Sequence, residues 1–348
     1  MKIIYILILL FTSQIFARDQ KYLYSESADV FEIMDQLSRW HPAINDVIEK
    51  EWKLKFGEHF NNKNYIEDYI NLRKKYYKYP IQTTDTKTVF SKFSIANNYF
   101  SNTFYSSSSI GEALNKLKKH LNKREVKFLA NFYTHFKDKI TVFVKESTFF
   151  KSKTKSYIKK MKKLKAKSII RNARRFILQK KSIKNQKVLF SWWPKDQGYK
   201  IDIRGKHIIV RVHPENTTSY PKPKELIKYK IRTFFANLSS NEKNNINSIF
   251  LKKCAPKGVD GAELLELPLS IVFSEMLIEE KKLKREFNYH KNWSVNPWIN
   301  LYAKLLFPEL KLALKRKDNL LGEFILNATS LCHDVMTLND FSSSFKNN

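Results

Sequence analysis

A chain of 348 residues with 43% apolar content can bury two domains or one large one, and its formal net charge of +31 directs it towards anionic partners. Only seven glycines, against a usual ~7%, argue against a sheet-rich fold full of tight turns. Part of the lysine excess also follows from the Lys-, Asn- and Ile-rich bias of AT-rich coding.

Lys2, the apolar run Ile3–Phe11 and the lead Thr12–Ala17 have the layout of a secretory signal peptide cleaved after Ala17. An uncleaved N-terminal anchor is the alternative. No second apolar stretch reaches the about 20 residues of a spanning helix. The mature chain is therefore expected to be secreted or periplasmic, without a transmembrane span.

Val30, Ile33, Met34 and Leu37 predict a helix over 26–40, with Ser25 or Ser27 as N-cap and His41-Pro42 as its stop. Further helices are predicted at 44–56, closed by Gly57, and at 64–78. Residues 80–109, with serines at 106–109, read as a polar loop. Helices follow at 110–121 and 123–137, and the β-branched segment Ile140–Val144 reads as a short strand.

From Ser147 to Lys187 the chain holds sixteen lysines and arginines and no acid. Phe150, Tyr157, Met161, Leu164, Ile170, Ala173 and Ile177 recur through it at helical spacing. This predicts one long amphipathic helix, about 148–183, with a cationic face. Lys159, Lys160, Lys162, Lys163, Lys165, Lys167, Arg171, Arg174 and Arg175 are its candidate anion-binding residues. Lipid headgroups, a cell-envelope polyanion or nucleic acid would accept such a face. Export argues against a genomic target, and no helix-turn-helix or RNA-binding aromatic signature accompanies the charge. A solvated face over an apolar stripe remains the plain alternative.

Segments 188–193, 199–203 and 208–212 predict a small antiparallel meander of about three strands within 187–213. Trp192-Trp193-Pro194 could form an aromatic platform for a sugar or peptide, or simply pack in the core. Helices are then predicted at about 224–237, 240–253, 262–285, 296–305, 308–316 and 320–335. Cys254 and Cys332 could pair in an oxidising compartment or stay as two buried thiols.

No P-loop, GxGxxG, GxSxG or HExxH occurs, and no two of the eight histidines share a helical face. The adjacent Cys332-His333-Asp334 cannot all point inward from one helix. The order of sheet, helix, polar spacer and second helix over about 187–285 nevertheless has a precedent. The first helix reads Ile227-Lys228-Tyr229-Lys230-Ile231-Arg232, and the second Glu263-Leu264-Leu265-Glu266-Leu267-Pro268. This resembles secreted zinc metallopeptidases of the gluzincin type. In them the first helix bears HExxH and the second a glutamate as third zinc ligand, in a pattern like NEALA. The resemblance places Lys228 and Arg232 where the histidines belong, Tyr229 at the catalytic glutamate and Glu266 at the third ligand. Without imidazoles nothing holds the metal, and without metal no water is activated. It implies that Lys228 and Arg232 would instead neutralise Glu266; a solvated helix face and a surface carboxylate are the simpler possibility. A second degraded outline is Ser274-Glu275-Met276-Leu277-Ile278.

The sequence therefore reads as a predominantly helical α+β protein. Its parts are a signal peptide (1–17), a helical N-terminal region (18–145), a basic helix (146–186), and a small sheet with a helical C-terminal region (187–348). Its expected role is a non-catalytic, metallopeptidase-like binding or structural protein of the cell envelope, with no cofactor and no metal. The alternatives are an enzyme using Glu263, Glu266 or Glu275, or a polycationic module for membrane, wall polymer or nucleic acid.

Overall fold

The computed structural model describes residues 21–344 except 42–43, 45, 58–62, 77–82, 85–86, 89–98, 179–182, 184, 217, 251–252, 255–260 and 285. The signal-peptide segment and its cleavage site lie outside the described residues. The protein is predominantly helical α+β, and its chain divides into two compact units. One comprises residues 1–158 and 184–221, the other 159–183 and 222–348. The sheet thus belongs with the N-terminal helices rather than with the C-terminal ones.

In the first unit, strand β1 (Lys21–Tyr24) leads into helix α1 (Glu26–Ser38). Ser25 is the N-cap: its hydroxyl accepts from Ala28 N and donates to Ser107 O at 2.7 Å. Every α1 residue after Glu26 is buried, so α1 is the axis of this unit. Helices α2 (Val47–Phe56) and α3 (Lys63–Lys75) follow, and Gly57 ends α2 at φ 69°, a left-handed cap glycine adopts without strain. Short strands β2 (Thr83–Thr84) and β3 (Lys87–Thr88) pair antiparallel.

The expected loop over 80–109 differs from the structure: within it lies helix α4 (Tyr99–Ser106). Phe100, Phe104 and Tyr105 are buried there, and Phe104 stacks on Phe31 at 4.6 Å. The serines between them disguise an aromatic face at helical spacing. Helices α5 (Ile110–Leu117) and α6 (Lys123–His135) match expectation. Asn122 and Glu125 exchange hydrogen bonds of 2.9 Å in a capping box at the start of α6.

Residues 140–144 are not a strand; they belong to α7 (Lys137–Ser147). Burial of Ile140, Phe143 and Ser147 on one helical face overrides their β-branched neighbours' preference. The basic segment forms two helices, α8 (Phe150–Lys163) and α9 (Ala166–Leu178), not one. Lys165, at φ 49°, breaks the run, and the boundary between the units falls within α8.

Strands β4 (Lys187–Trp192), β5 (Tyr199–Arg204) and β6 (His207–Val212) lie where predicted, with a 3-10 turn, Lys195–Gln197, after β4. They do not form a meander. The sheet order is β1-β4-β6-β5, with β1 and β6 parallel to β4 and only β5–β6 antiparallel. The hairpin turns at Gly205, φ 59°, the positive φ a two-residue turn requires. The interior strands β4 and β6 are buried on both faces, which explains the consecutive apolar residues 188–190 and 208–210. Trp192 and Trp193 are buried in this core, so the aromatic platform is not formed.

The second unit contains α9, α10 (Pro223–Ala236), α11 (Ser240–Phe250), α12 (Gly261–Ile271), α13 (Leu277–Leu283), α14 (Pro297–Arg316) and α15 (Glu323–Ser344). A π-helical turn, Val272–Met276, joins α12 to α13, following Pro268, which has no N–H to give the helix. Leu265, Leu269, Val272, Phe273, Met276 and Ile278 are buried around this rod, which is the unit's centre. Gly261 starts it hard against α11: a Cβ there would sit 2.7 Å from Phe250 Cβ. The two helices predicted over 296–316 are one, because Pro308 is absorbed within α14.

Candidate functional site

Three groups of residues carry charge or chemistry. The first is the set singled out by the metallopeptidase resemblance. On α10, Leu226, Ile227, Ile231 and Phe234 turn inward, which leaves Lys224, Lys228 and Arg232 along a second stripe. Arg232 meets the buried Glu266 of α12, Nε to Oε1 at 2.5 Å, and its guanidinium lies 4.8 Å over the Tyr229 ring. Lys228 does not share this contact. It folds back on Glu225, 2.8 Å away on its own helix. Of the two cations expected at Glu266, one arrives.

Glu275, in the π-helical turn, pairs with Lys224 at 3.0 Å, and Lys224 also reaches Glu279 at 2.9 Å. Lys291 closes the row on Glu279. Burial alone would raise Glu279, but hydrogen bonds from Lys291 and Lys224 hold its carboxyl below the ordinary value. Glu263 is exposed. The three carboxylates proposed as acid or base are thus dispersed: two are tied to α10 cations and one faces water. Among the described residues, no three His, Cys, Asp or Glu side chains converge as metal ligands.

Cys254 and Cys332 form a disulfide, with Cα atoms 5.7 Å apart, between the segment after α11 and helix α15. His333 and Asp334 beside it are exposed, so the Cys332-His333-Asp334 run holds no joint site.

The second group is the basic face. Lys159, Lys160, Lys162, Lys163, Lys165, Lys167, Arg171 and Arg175 are exposed; Arg174 is half-buried. Met161, Ala166, Ile169, Ile170, Ala173 and Ile177 are buried beneath them. Among the described residues, none of the eight exposed cations has a carboxylate within ion-pair distance. Elsewhere in the same unit Lys224, Lys228, Arg232, Lys291 and Lys311 all do.

Sequence reasoning missed the third group. Asp29, Glu32 and Asp35 lie along one face of α1, and all are buried. Asp35 accepts a bidentate pair from Arg73, 2.7 and 2.9 Å, and a hydrogen bond from Tyr69 at 2.9 Å. The Arg73 guanidinium also lies 4.4 Å over the Trp40 ring. Glu32 accepts from Arg211 and from the Tyr105 hydroxyl. Arg211 reaches on to Asp202 of β5. Burial alone would raise Asp202, but Arg211, Arg204 and Lys200 hold it far below the usual carboxylate range.

Asp29 has no cation partner among the described residues. It accepts from the Trp192 backbone N–H at 2.8 Å, and burial pushes its pKa up to about 6, only partly opposed by Ser147, the Trp192 N–H, Ser191 and Tyr24. These contacts fasten α1 to α3 and to the sheet; they are a structural lock. The sequence signal was an arginine inside the apolar strand His207–Val212, which must meet a buried acid.

No protein-family model, curated protein or solved structure matches this chain. Among the described residues no helix is long and apolar enough to cross a membrane.

Proposed function

We propose that the protein is an exported, non-catalytic binding protein of the cell envelope that docks on an anionic surface through α8 and α9. One observation carries this reading: eight exposed cations between Lys159 and Arg175 have no carboxylate partner among the described residues. Such a row repels itself, and it does so least against a counter-charge. Lipid phosphates and envelope polyanions supply the same chemistry, at about 1 kcal/mol per Lys or Arg near an anionic bilayer. The test is sedimentation with vesicles of phosphatidylglycerol and phosphatidylcholine across a salt series. Binding should fall steeply with salt. Replacing Lys159, Lys160, Lys162 and Lys163 by Gln removes about 4 kcal/mol, roughly a thousandfold, at low salt. Binding to a soluble wall polyanion but not to vesicles would identify the other source. Salt-insensitive binding, or none to either, ends the proposal.

The scaffold itself is read as metallopeptidase-like, and the Arg232–Glu266 pair supports this. A carboxylate buried between two helices needs a cation, and a guanidinium is what replaces a lost divalent ion most simply. Restoring the motif with Lys228→His, Tyr229→Glu and Arg232→His should then create a zinc site completed by Glu266. Metal analysis of the folded variant should find zinc in stoichiometric amount, with the parent as the baseline. A folded variant without zinc removes the metallopeptidase reading and leaves the basic face untouched.

A further inference from the structure

Between α13 and α14 the second unit carries a segment without regular structure, yet fixed at many points. Phe287 stacks on Phe307 at 4.6 Å, with Tyr289 edge-on at 4.4 Å. Lys304 donates to the Tyr289 carbonyl. The Trp293 backbone N–H donates to Asn300 Oδ1 at 2.8 Å, and Asn296 Oδ1 accepts from Ile299 N at 3.1 Å. Lys291 lies 4.2 Å over the Trp293 ring while its charge is met by Glu279.

This framework encloses an open cavity of about 370 Å³ lined by Asn292, Trp293, Ser294, Val295, Pro297 and Asn300. The lining has no charged side chain. It combines amide donors and acceptors, a hydroxyl, an indole and two small apolar surfaces. Asn292 is exposed, and Asn300 Nδ2 approaches its Oδ1 at 3.5 Å. The indole Nε1 of Trp293 is closed to solvent, so Trp293 meets the cavity through its ring carbons.

A ligand for this cavity must therefore be uncharged. It must offer hydroxyl or amide groups that both donate and accept, and an apolar face for the ring. A peptide would need a deeper apolar slot for side chains. We infer that this cavity is a binding subsite for a neutral oligosaccharide, with Asn292 and Ser294 reading hydroxyl groups and Trp293 supplying ring surface.

The site uses no charge, so it is independent of the basic face, and salt separates the two. Chitotetraose, a neutral N-acetylglucosamine tetramer, and cellotetraose are titrated into the purified chain by calorimetry and tryptophan fluorescence. At least one should bind saturably, with affinity unchanged by salt. Asn292→Ala removes a hydrogen-bonding side chain and Trp293→Ala removes the ring surface, and each should weaken binding about five- to tenfold. Their thermal midpoints should match the parent's, so that a loss is not unfolding. Absence of binding to both tetramers, variants that bind as well as the parent, or tighter binding of tetra-alanine would each overturn the assignment.

Discussion

Replacing Cys254 and Cys332 together by Ala should lower stability by about 4–5 kcal/mol, the chain-entropy value for so long a closed loop. The bond joins positions 78 residues apart, and the loop it closes contains the whole of α12, the π-helical turn, α13 and α14. In the unfolded chain the crosslink excludes every conformation in which the two ends of that loop lie apart. In the folded chain Cys332 is fully buried and Cys254 nearly so, so alanine leaves little solvated surface and only a small void. Urea unfolding of the double variant, set beside the parent with and without reductant, measures this. The reduced parent should unfold where the variant does. A difference below about 1 kcal/mol would mean that the unfolded loop is already restricted by residual structure.

The elements that were legible in the sequence are those whose burial follows a single period. Helices α1, α6 and α10 show apolar residues at three- and four-residue spacing with recognisable caps, and β4–β6 show β-branched runs bounded by Gly and Pro. Strand order was not legible. Parallel pairing of β4 with β6 depends on β5 passing to the outer edge, which no local signal encodes. Strand β1 was invisible for a related reason: four residues carry too little pattern. Helix α7 was misread because β-branched residues 140–142 look like a strand until Phe143 and Ser147 are seen to share a buried face.

The candidate site was partly legible. The sequence marked Arg232 and Glu266 through a family outline, and the two side chains meet; it marked Lys228 for the same role, and Lys228 pairs locally instead. The cations from Lys159 to Arg175 were legible outright, because a charge run needs no tertiary knowledge. The acidic face of α1 was hidden because Asp29, Glu32 and Asp35, three residues apart among apolar neighbours, read as the exposed stripe of an amphipathic helix. Only their partners Arg73 and Arg211, distant in sequence, reveal their burial.

Arg211→Met should be among the most damaging single substitutions in the first unit. Arg211 is 1% exposed and is shared between Glu32 on α1 and Asp202 on β5. Removing it strands a fully buried carboxylate, for which about 3–5 kcal/mol is the expected penalty. The loss belongs to the uncompensated charge rather than to the pair, since a well-packed apolar replacement of a whole ion cluster can be neutral. Adding Glu32→Gln and Asp202→Asn to Arg211→Met should therefore recover most of the stability.

The pH dependence supplies an independent check. In the parent, Asp202 is held below its ordinary value of 3.8, so its contribution is present above that value and lost as acid protonates it. In Arg211→Met, Asp202 loses the largest charge opposing its burial, so it is held down less. Less of the variant's stability is then lost on protonation, and it becomes more stable relative to the parent as pH falls through the carboxylate range. Urea midpoints of parent and variant should converge in acid and diverge towards neutrality. Parallel curves would mean that Arg211 acts through packing against its neighbours and that its two carboxylates can reach water without it.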